Sequence, residues 1–305
     1  MGCGTVHKVI IPSNEPKWSD ESITQYPIKL KSSAGGSCIF LLTDVFWFCV
    51  RESTFSCKAI SLPVKESGIL CTGVNRFLVA GGYSVLDLKD SACCYVFEDM
   101  QIKVFPSLIH PTRRLKLLQY ESRVYALGGV RESFESNITL DYSKNFSYFN
   151  SETWVSLPDM PYPVEYPSCY AHSDKIYVIG GCVALDLELV VVDYVRVFDL
   201  KLTEWSLCKM EVPEPIYGHL CVEKDSTGFL LLGGLDKDSE NSSMSFIVAK
   251  ENFEEICPVD VEISTFFPFT WANDQQCIYV VNDKYQVLCL NRLERKWVLM
   301  SGTEI

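Results

Sequence analysis

An all-β fold, arranged as a ring of six four-stranded antiparallel units, follows from three observations on this 305-residue chain. A hydrophobic run closed by two glycines occurs four times: FLVAGG ending at Gly82, VYALGG at Gly129, IYVIGG at Gly181 and FLLLGG at Gly234, at spacings of 47, 52 and 53 residues. Short runs of β-branched and aromatic residues are broken throughout by Gly, Pro, Asn, Asp and Ser, and helical periodicity is hard to find. A second apolar stretch follows each glycine pair, with an aromatic or apolar anchor seven residues beyond a fixed point, as from Phe198 to Trp205. Units of about 50 residues carrying four strands are the arithmetic of a propeller blade. The expected architecture is a six-bladed β-propeller over residues 25–301, preceded by an N-terminal segment, 1–24.

The blades follow in order. Blade 1, 25–63, opens at Tyr26 to Lys31, places Thr43-Asp44 where the glycines should be, and keeps the anchor offset from Phe48 to Phe55. Blade 2, 64–110, carries Gly81-Gly82 and the offset from Phe97 to Val104. Blade 3, 111–163, begins with Leu115 to Tyr120, turns at Glu121-Ser122, and holds Gly128-Gly129 and the step from Ser147 to Trp154. Blade 4, 164–215, repeats this with Ser168 to His172, the turn Ser173-Asp174, Gly180-Gly181, and Phe198 to Trp205. Blade 5, 216–266, has Gly233-Gly234 and keeps the offset only from Ala249 to Ile256. Blade 6, 267–301, substitutes Asn282-Asp283 for the glycines and ends on Leu290 to Trp297 and the strand Trp297 to Met300. Because the last blade has its own fourth strand, closure by a blade shared between the chain ends is not required, although Val6 to Ile11 could add an outer strand.

Glycine reaches positive φ and tolerates close backbone approach, so the four pairs read as structural. Trp154, Trp205 and Trp297 read as area buried between neighbouring blades. With the double glycines, Tyr125 and Tyr177 shortly before them, these tryptophans on fourth strands, and the segment Glu152 to Pro161 (ETWVSLPDMP), the chain resembles the kelch repeat family over nearly its whole length. The resemblance implies a propeller whose second-to-third-strand loops and blade connections bind a protein or peptide.

Composition removes other classes. The chain has 27 Lys and Arg against 39 Asp and Glu, a net charge of −12, which argues against general nucleic-acid binding. The richest apolar stretch, Ile39 to Val50, is too short and too interrupted for a transmembrane helix. The start has no apolar signal core, because Val9-Ile10-Ile11 stops at Pro12, so a cytoplasmic location is expected. The 14 cysteines then read as reduced thiols packed as small hydrophobes, and the absence of any CxxC pair leaves no zinc motif. No cofactor and no metal are expected. Met1-Gly2-Cys3 raises dual acylation at Gly2 and Cys3 as a membrane anchor, against which stands Val6 where the myristoylation pattern wants Ser or Thr. The roughly 24 residues before blade 1 leave no room for a BTB, BACK or F-box segment, and a monomer is expected.

The function expected is therefore a non-enzymatic protein-interaction module. On the loops implied by the resemblance, Tyr83 to Ala92, Val130 to Ser136, Cys182 to Leu189 and Leu235 to Ser243, and on the adjoining blade connections, the candidate contacts are Tyr83, Arg113, Arg114, Arg131, Tyr166 and Tyr217. Residues 101–131 hold six basic residues against Glu121 alone, while 219–268 hold ten acids and three bases. A lopsided disc with a basic sector suggests an acidic or phosphorylated partner. Reversing Arg113 and Arg114 to Glu should then abolish capture while sparing the fold. The alternative is a sugar-active enzyme such as a sialic acid mutarotase-like protein, with Arg113, Arg131, Glu132 and His219 at a propeller mouth. His110, His172 and His219 fall at different places in the repeat, so no copper-oxidase ligand set is expected.

Overall fold

The computed structural model describes residues 38–51, 54–133, 139–185, 188–213, 215–225, 228–236, 238, 245–249, 252–255, 271–273, 277–281, 285–291 and 296–304. Among these residues there is no helix, and six four-stranded sheets recur along the chain. Sheet 1 comprises Cys38–Leu42, Phe46–Arg51, Thr54–Ala59 and Ser301–Glu304; sheet 2 comprises Gly68–Gly73, Arg76–Ala80, Cys94–Glu98 and Gln101–Phe105. Sheet 3 holds Lys116–Tyr120, Arg123–Leu127, Phe146–Phe149 and Trp154–Ser156, and sheet 4 holds Ser168–His172, Lys175–Ile179, Tyr194–Asp199 and Glu204–Glu211. Sheet 5 is Leu220–Asp225, Gly228–Leu232, Ser245–Ala249 and Asn252–Glu255, and sheet 6 is Trp271–Asn273, Cys277–Val281, Val287–Asn291 and Lys296–Leu299. Neighbouring strands are antiparallel, except that Ser301–Glu304 runs parallel to Thr54–Cys57.

The core is divided among the sheet interfaces rather than gathered in one place. Ala80, Val96 and Phe105 of sheet 2 pack on Leu117, Ala126 and Trp154 of sheet 3. Leu127 and Phe146 then meet Ile176 and Phe198 of sheet 4, and Ile179 and Val195 meet Leu231 of sheet 5. Leu232 packs on Ile278 and Leu290 of sheet 6, Val281 and Val287 on Leu41 and Phe48 of sheet 1, and Leu42 on Phe77 and Phe97 of sheet 2. Each side chain of this size stabilises by about 1.5–3 kcal/mol when buried. The last sheet packs on the first, so the array closes, and the fold is a β-propeller.

The glycine pairs do more than turn the chain. All eight residues have positive φ, and the second glycine's N–H donates to the carbonyl of the next connection: Gly82 to Thr112 at 2.8 Å, Gly129 to Val164 at 2.9 Å and Gly181 to Ile216 at 3.0 Å. That same carbonyl lies 2.5 Å or less from where a Cβ on the first glycine would sit, at Gly81, Gly128 and Gly180. The pair is thus a joint between blades as well as a strand end. In sheet 1 Thr43 closes the corresponding turn with its hydroxyl, which accepts the Phe46 N–H at 2.9 Å. Asn282 and Asp283 lie outside the described residues, as do Tyr26 to Lys31 and Val6 to Ile11.

Two readings of the anchors need adjustment. Phe198 faces Trp205 and Leu290 faces Trp297 across third and fourth strands, as the spacing of seven requires. Trp154, however, faces Phe149, Phe55 faces Val50, and Phe97 faces Ile102, because those pairs sit nearer their hairpin turns. The tryptophans also tie blades together. The Trp154 indole N–H donates to the Pro106 carbonyl at 3.0 Å and that of Trp205 to Pro158 at 2.8 Å, each following the previous fourth strand. The propeller does enlist the C-terminal residues: Ser301–Glu304 covers the outer edge of sheet 1, three residues past the expected end at 301.

Candidate interaction surface

Each connection between sheets meets the loop of the blade it enters. Lys65 pairs with Tyr83, and isolated bridges join Arg113 to Val130, Glu165 to Cys182 and Tyr217 to Leu235. The first residue after each glycine pair is therefore held to the connection, and loops and connections share one face. The next connection residues, Glu66, Arg114, Tyr166 and Gly218, all have φ between 51° and 64°. Arg114 donates its N–H to the Glu66 carbonyl and Gly218 to the Tyr166 carbonyl. From the loops after the glycine pairs two further hairpins project, Val130–Ser133 with Thr139–Tyr142 and Cys182–Leu185 with Glu188–Val191, beside the three-stranded Val64–Lys65, Tyr83–Ser84 and Lys89–Asp90.

On this frame the two adjacent arginines are already occupied. Arg113 lies 3.5 Å from Asp90, 3.5 Å from Glu132 and 3.7 Å from Glu66, over the Tyr83 ring. Arg114 donates from Nε to Glu66 at 2.7 Å and from Nη1 to Glu165 at 3.3 Å, over the Tyr166 ring. Their side chains are only 13% and 24% exposed. Asp90 also accepts the Glu132 backbone N–H, tying two blades together. Burial works against the Arg114 charge, but Tyr166, Glu66 and Glu165 around it raise its pKa on balance. Burial raises the pKa of Glu165, partly offset by Arg114, and raises that of Cys182, whose thiol faces Glu165. Four carboxylates surround two guanidiniums, a formal net of −2.

This corrects the expected basic sector. Counting charge along residues 101–131 omits Glu66, Asp90, Glu132 and Glu165, which arrive from other segments and reverse the local sign. Arg131 is spent elsewhere, on its cross-strand neighbour Asp141 at 2.6 Å. Tyr217 is buried with Cys182 and Leu235 and offers no contact at the rim, while Tyr83 and Tyr166 are half-buried beneath the arginines. His219 is fully buried between blades, where desolvation lowers its pKa to about 3, so it is neutral and away from any mouth. Gly2 and Cys3 lie outside the described residues.

The residues that do project are aliphatic and were missed. Leu86 and Leu88, at the turn between Tyr83–Ser84 and Lys89–Asp90, are 86% and 70% exposed, next to exposed Val85. Leu140 and Val190 are exposed on the corresponding hairpins of the next two blades. The signal was available: Val85-Leu86-Asp87-Leu88 places three apolar residues within a loop, where turn chemistry favours polar ones. Their large exposure beside a polar rim is the pattern of a contact surface.

A small cleft of about 30 Å³ is lined by His110, Asn145, Ser147, Ser156 and Asp159 and includes none of Arg113, Arg131, Glu132 and His219. Among the described residues no group of three or more His, Cys, Asp and Glu is placed to hold a metal ion, and no helix is long and apolar enough to cross a membrane.

No family model matches the chain. It is similar to an F-box/kelch-repeat protein of Arabidopsis thaliana, 25% identical over 212 residues that cover 66% of this chain and 44% of the relative. It is similar also to Kelch-like protein 40 of Mus musculus, 25% identical over 201 residues, 63% of this chain and 31% of the relative. A putative F-box/kelch-repeat protein of Arabidopsis thaliana is 33% identical over 92 residues, 30% of this chain and 27% of the relative. The matched region spans less than half the length of each of these relatives.

Proposed function

We propose that this chain, which is similar to kelch-repeat proteins over about two thirds of its length, is a non-enzymatic protein-interaction module that grips its partner with the loop face of the propeller. The observation that carries the reading is the exposed pair Leu86 and Leu88 at the tip of a hairpin that is itself fastened to the blade connection. The same hairpin carries Asp87 at its tip and Asp90 at its base, where Asp90 joins the carboxylate-rich cluster of Glu66, Glu132 and Glu165 around Arg113 and Arg114. Apolar tips beside excess negative charge suit a partner segment that combines aliphatic or aromatic residues with Lys or Arg. The acidic or phosphorylated partner drawn from the sequence loses its basis, since Arg113 and Arg114 have no free charge to offer. The sugar-active alternative draws no support either: His219 is buried, and Arg113 and Glu132 are engaged with each other.

The test is quantitative affinity purification with the wild type and with Leu86→Asp plus Leu88→Asp. Both positions are exposed, so the variant's unfolding free energy in urea should stay within about 0.5 kcal/mol of wild type. Proteins held stoichiometrically by the wild type should fall at least tenfold on the variant. Equal recovery of the same proteins by both would remove the hairpin from the binding surface.

A further inference from the structure

Arg196 is an anomaly in the core. It lies on the third strand of sheet 4, cross-strand from Val178 and Leu207, and is 1% exposed. Among the described residues its buried Nε, Nη1 and Nη2 have no hydrogen-bond partner within 3.5 Å and no carboxylate pairs with it; the hydroxyl of Tyr194 is the side-chain group that most favours its charge. The other large side chains with so little exposure in the described core are apolar, apart from His219 and tyrosines such as Tyr217.

What Arg196 has is two aromatic faces. Its guanidinium carbon stands 4.3 Å from the Tyr194 ring centroid and 5.5 Å from that of Tyr162, and the two rings meet edge to face at 6.1 Å. Such rings attract a cation through their faces, and they leave its N–H donors, which lie in the guanidinium plane, unsatisfied. A buried charge with unused donors is costly, and an apolar side chain of similar volume would fill the same space without that cost. Burial accordingly lowers the Arg196 pKa, against the opposing influence of Tyr194 and Tyr162.

The cover over this charge can open. Tyr162 is 58% exposed, whereas Arg196 beneath it is not. Pro161 and Pro163 flank Tyr162 and restrain its backbone, so side-chain rotation is the motion available to it. Turning the ring aside uncovers a guanidinium edge already desolvated and held in place by Tyr194.

We propose that Arg196, Tyr162 and Tyr194 form a binding site for one oxyanion, a carboxylate or phosphate group, taken in the plane of the guanidinium with Tyr162 as its cover. A planar fork of donors matches either group through two parallel hydrogen bonds. The site is separate from the Arg113 and Arg114 cluster and does not depend on the loop-face reading.

The experiment is calorimetric titration and thermal melting of the full chain with inorganic phosphate, acetate and N-acetylglutamate methylamide, at matched ionic strength. Wild type and Tyr162→Ala should each show saturable binding of at least one probe, with a lower Kd in Tyr162→Ala, which has no cover to move aside. Arg196→Met should bind it at least tenfold more weakly. Binding of the glutamate probe or acetate identifies a carboxylate ligand, and binding of phosphate alone identifies a phosphoryl group. If neither wild type nor Tyr162→Ala shows saturable binding, or if Arg196→Met binds as wild type does, the proposal is overturned. Tyr162 is exposed, so its variant keeps the test decisive even if Arg196→Met fails to fold.

Discussion

His219 illustrates how one side chain makes stability depend on acidity without taking part in chemistry. It is buried between sheets 4 and 5, close to where Cβ atoms on Gly180 and Gly234 would lie. Its folded pKa is about 3, below the ordinary 6.5, because burial disfavours the charged ring. A depressed pKa means that between those values the unfolded chain binds a proton that the folded chain refuses. Stability therefore rises with pH across that window and falls as acid is added, by up to about 1.4 kcal/mol per pH unit from this group. Glu165, whose pKa is raised, acts in the opposite direction. Urea midpoints measured from pH 7 down to pH 5 should decline more steeply in wild type than in His219→Leu, and parallel curves would refute the assignment. Residues also differed in how legible they were. The glycine pairs announced themselves by spacing, whereas the carbonyls of Thr112, Val164 and Ile216 that require them belong to the next blade and leave no mark near the pairs. Arg196 carried no signal at all in Tyr194-Val-Arg-Val-Phe198, where a strand facing solvent on one side would read the same.

Strands with alternating or continuous apolar character were legible, and Ser301–Glu304 was not, because a Ser-Gly-Thr-Glu sequence lacks both patterns. Its pairing is set by the partner. Thr54–Cys57 offers an edge, and Gly302 lies against the Phe55 ring, whose atoms are 2.4–2.5 Å from where a Cβ would sit. Met300, just before this strand, is buried in the cluster joining sheets 6 and 1. The segment thus fastens the last blade to the first and covers an edge that would otherwise be free to pair with another chain. The loop hairpins were hidden for a related reason, since short strands such as Tyr83–Ser84 and Lys89–Asp90 are defined by pairing with Val64–Lys65 rather than by composition. Removing residues 301–305 should lower the melting temperature by on the order of 5 °C, as expected for a loss of about 2–3 kcal/mol in a domain of this size. It should also increase self-association, read by light scattering. A truncated chain that melts with wild type and stays equally dispersed would show that the strand fastens nothing.

At the scale of the molecule the question is where charge resides. The chain's −12 and the ten acids of residues 219–268 suggested an acidic side opposite a basic one. Folding brings Glu66, Asp90, Glu132 and Glu165 around Arg113 and Arg114, so that two cations crosslink three successive blade connections and two loops. These arginines consequently support the ring instead of waiting for a ligand. Breaking a buried or half-buried pair from one side leaves the other charges desolvated and unmatched, typically at about 3–5 kcal/mol, discounted here because the guanidiniums retain some solvent contact. Arg113→Glu with Arg114→Glu goes further: six carboxylates would share the site, a net of −6 in place of −2. The double variant should lose several kcal/mol of unfolding free energy in urea, and added salt, which screens like charges, should restore part of the loss. A variant as stable as wild type at low salt would return Arg113 and Arg114 to the role of free surface cations, and with it the case for an acidic partner.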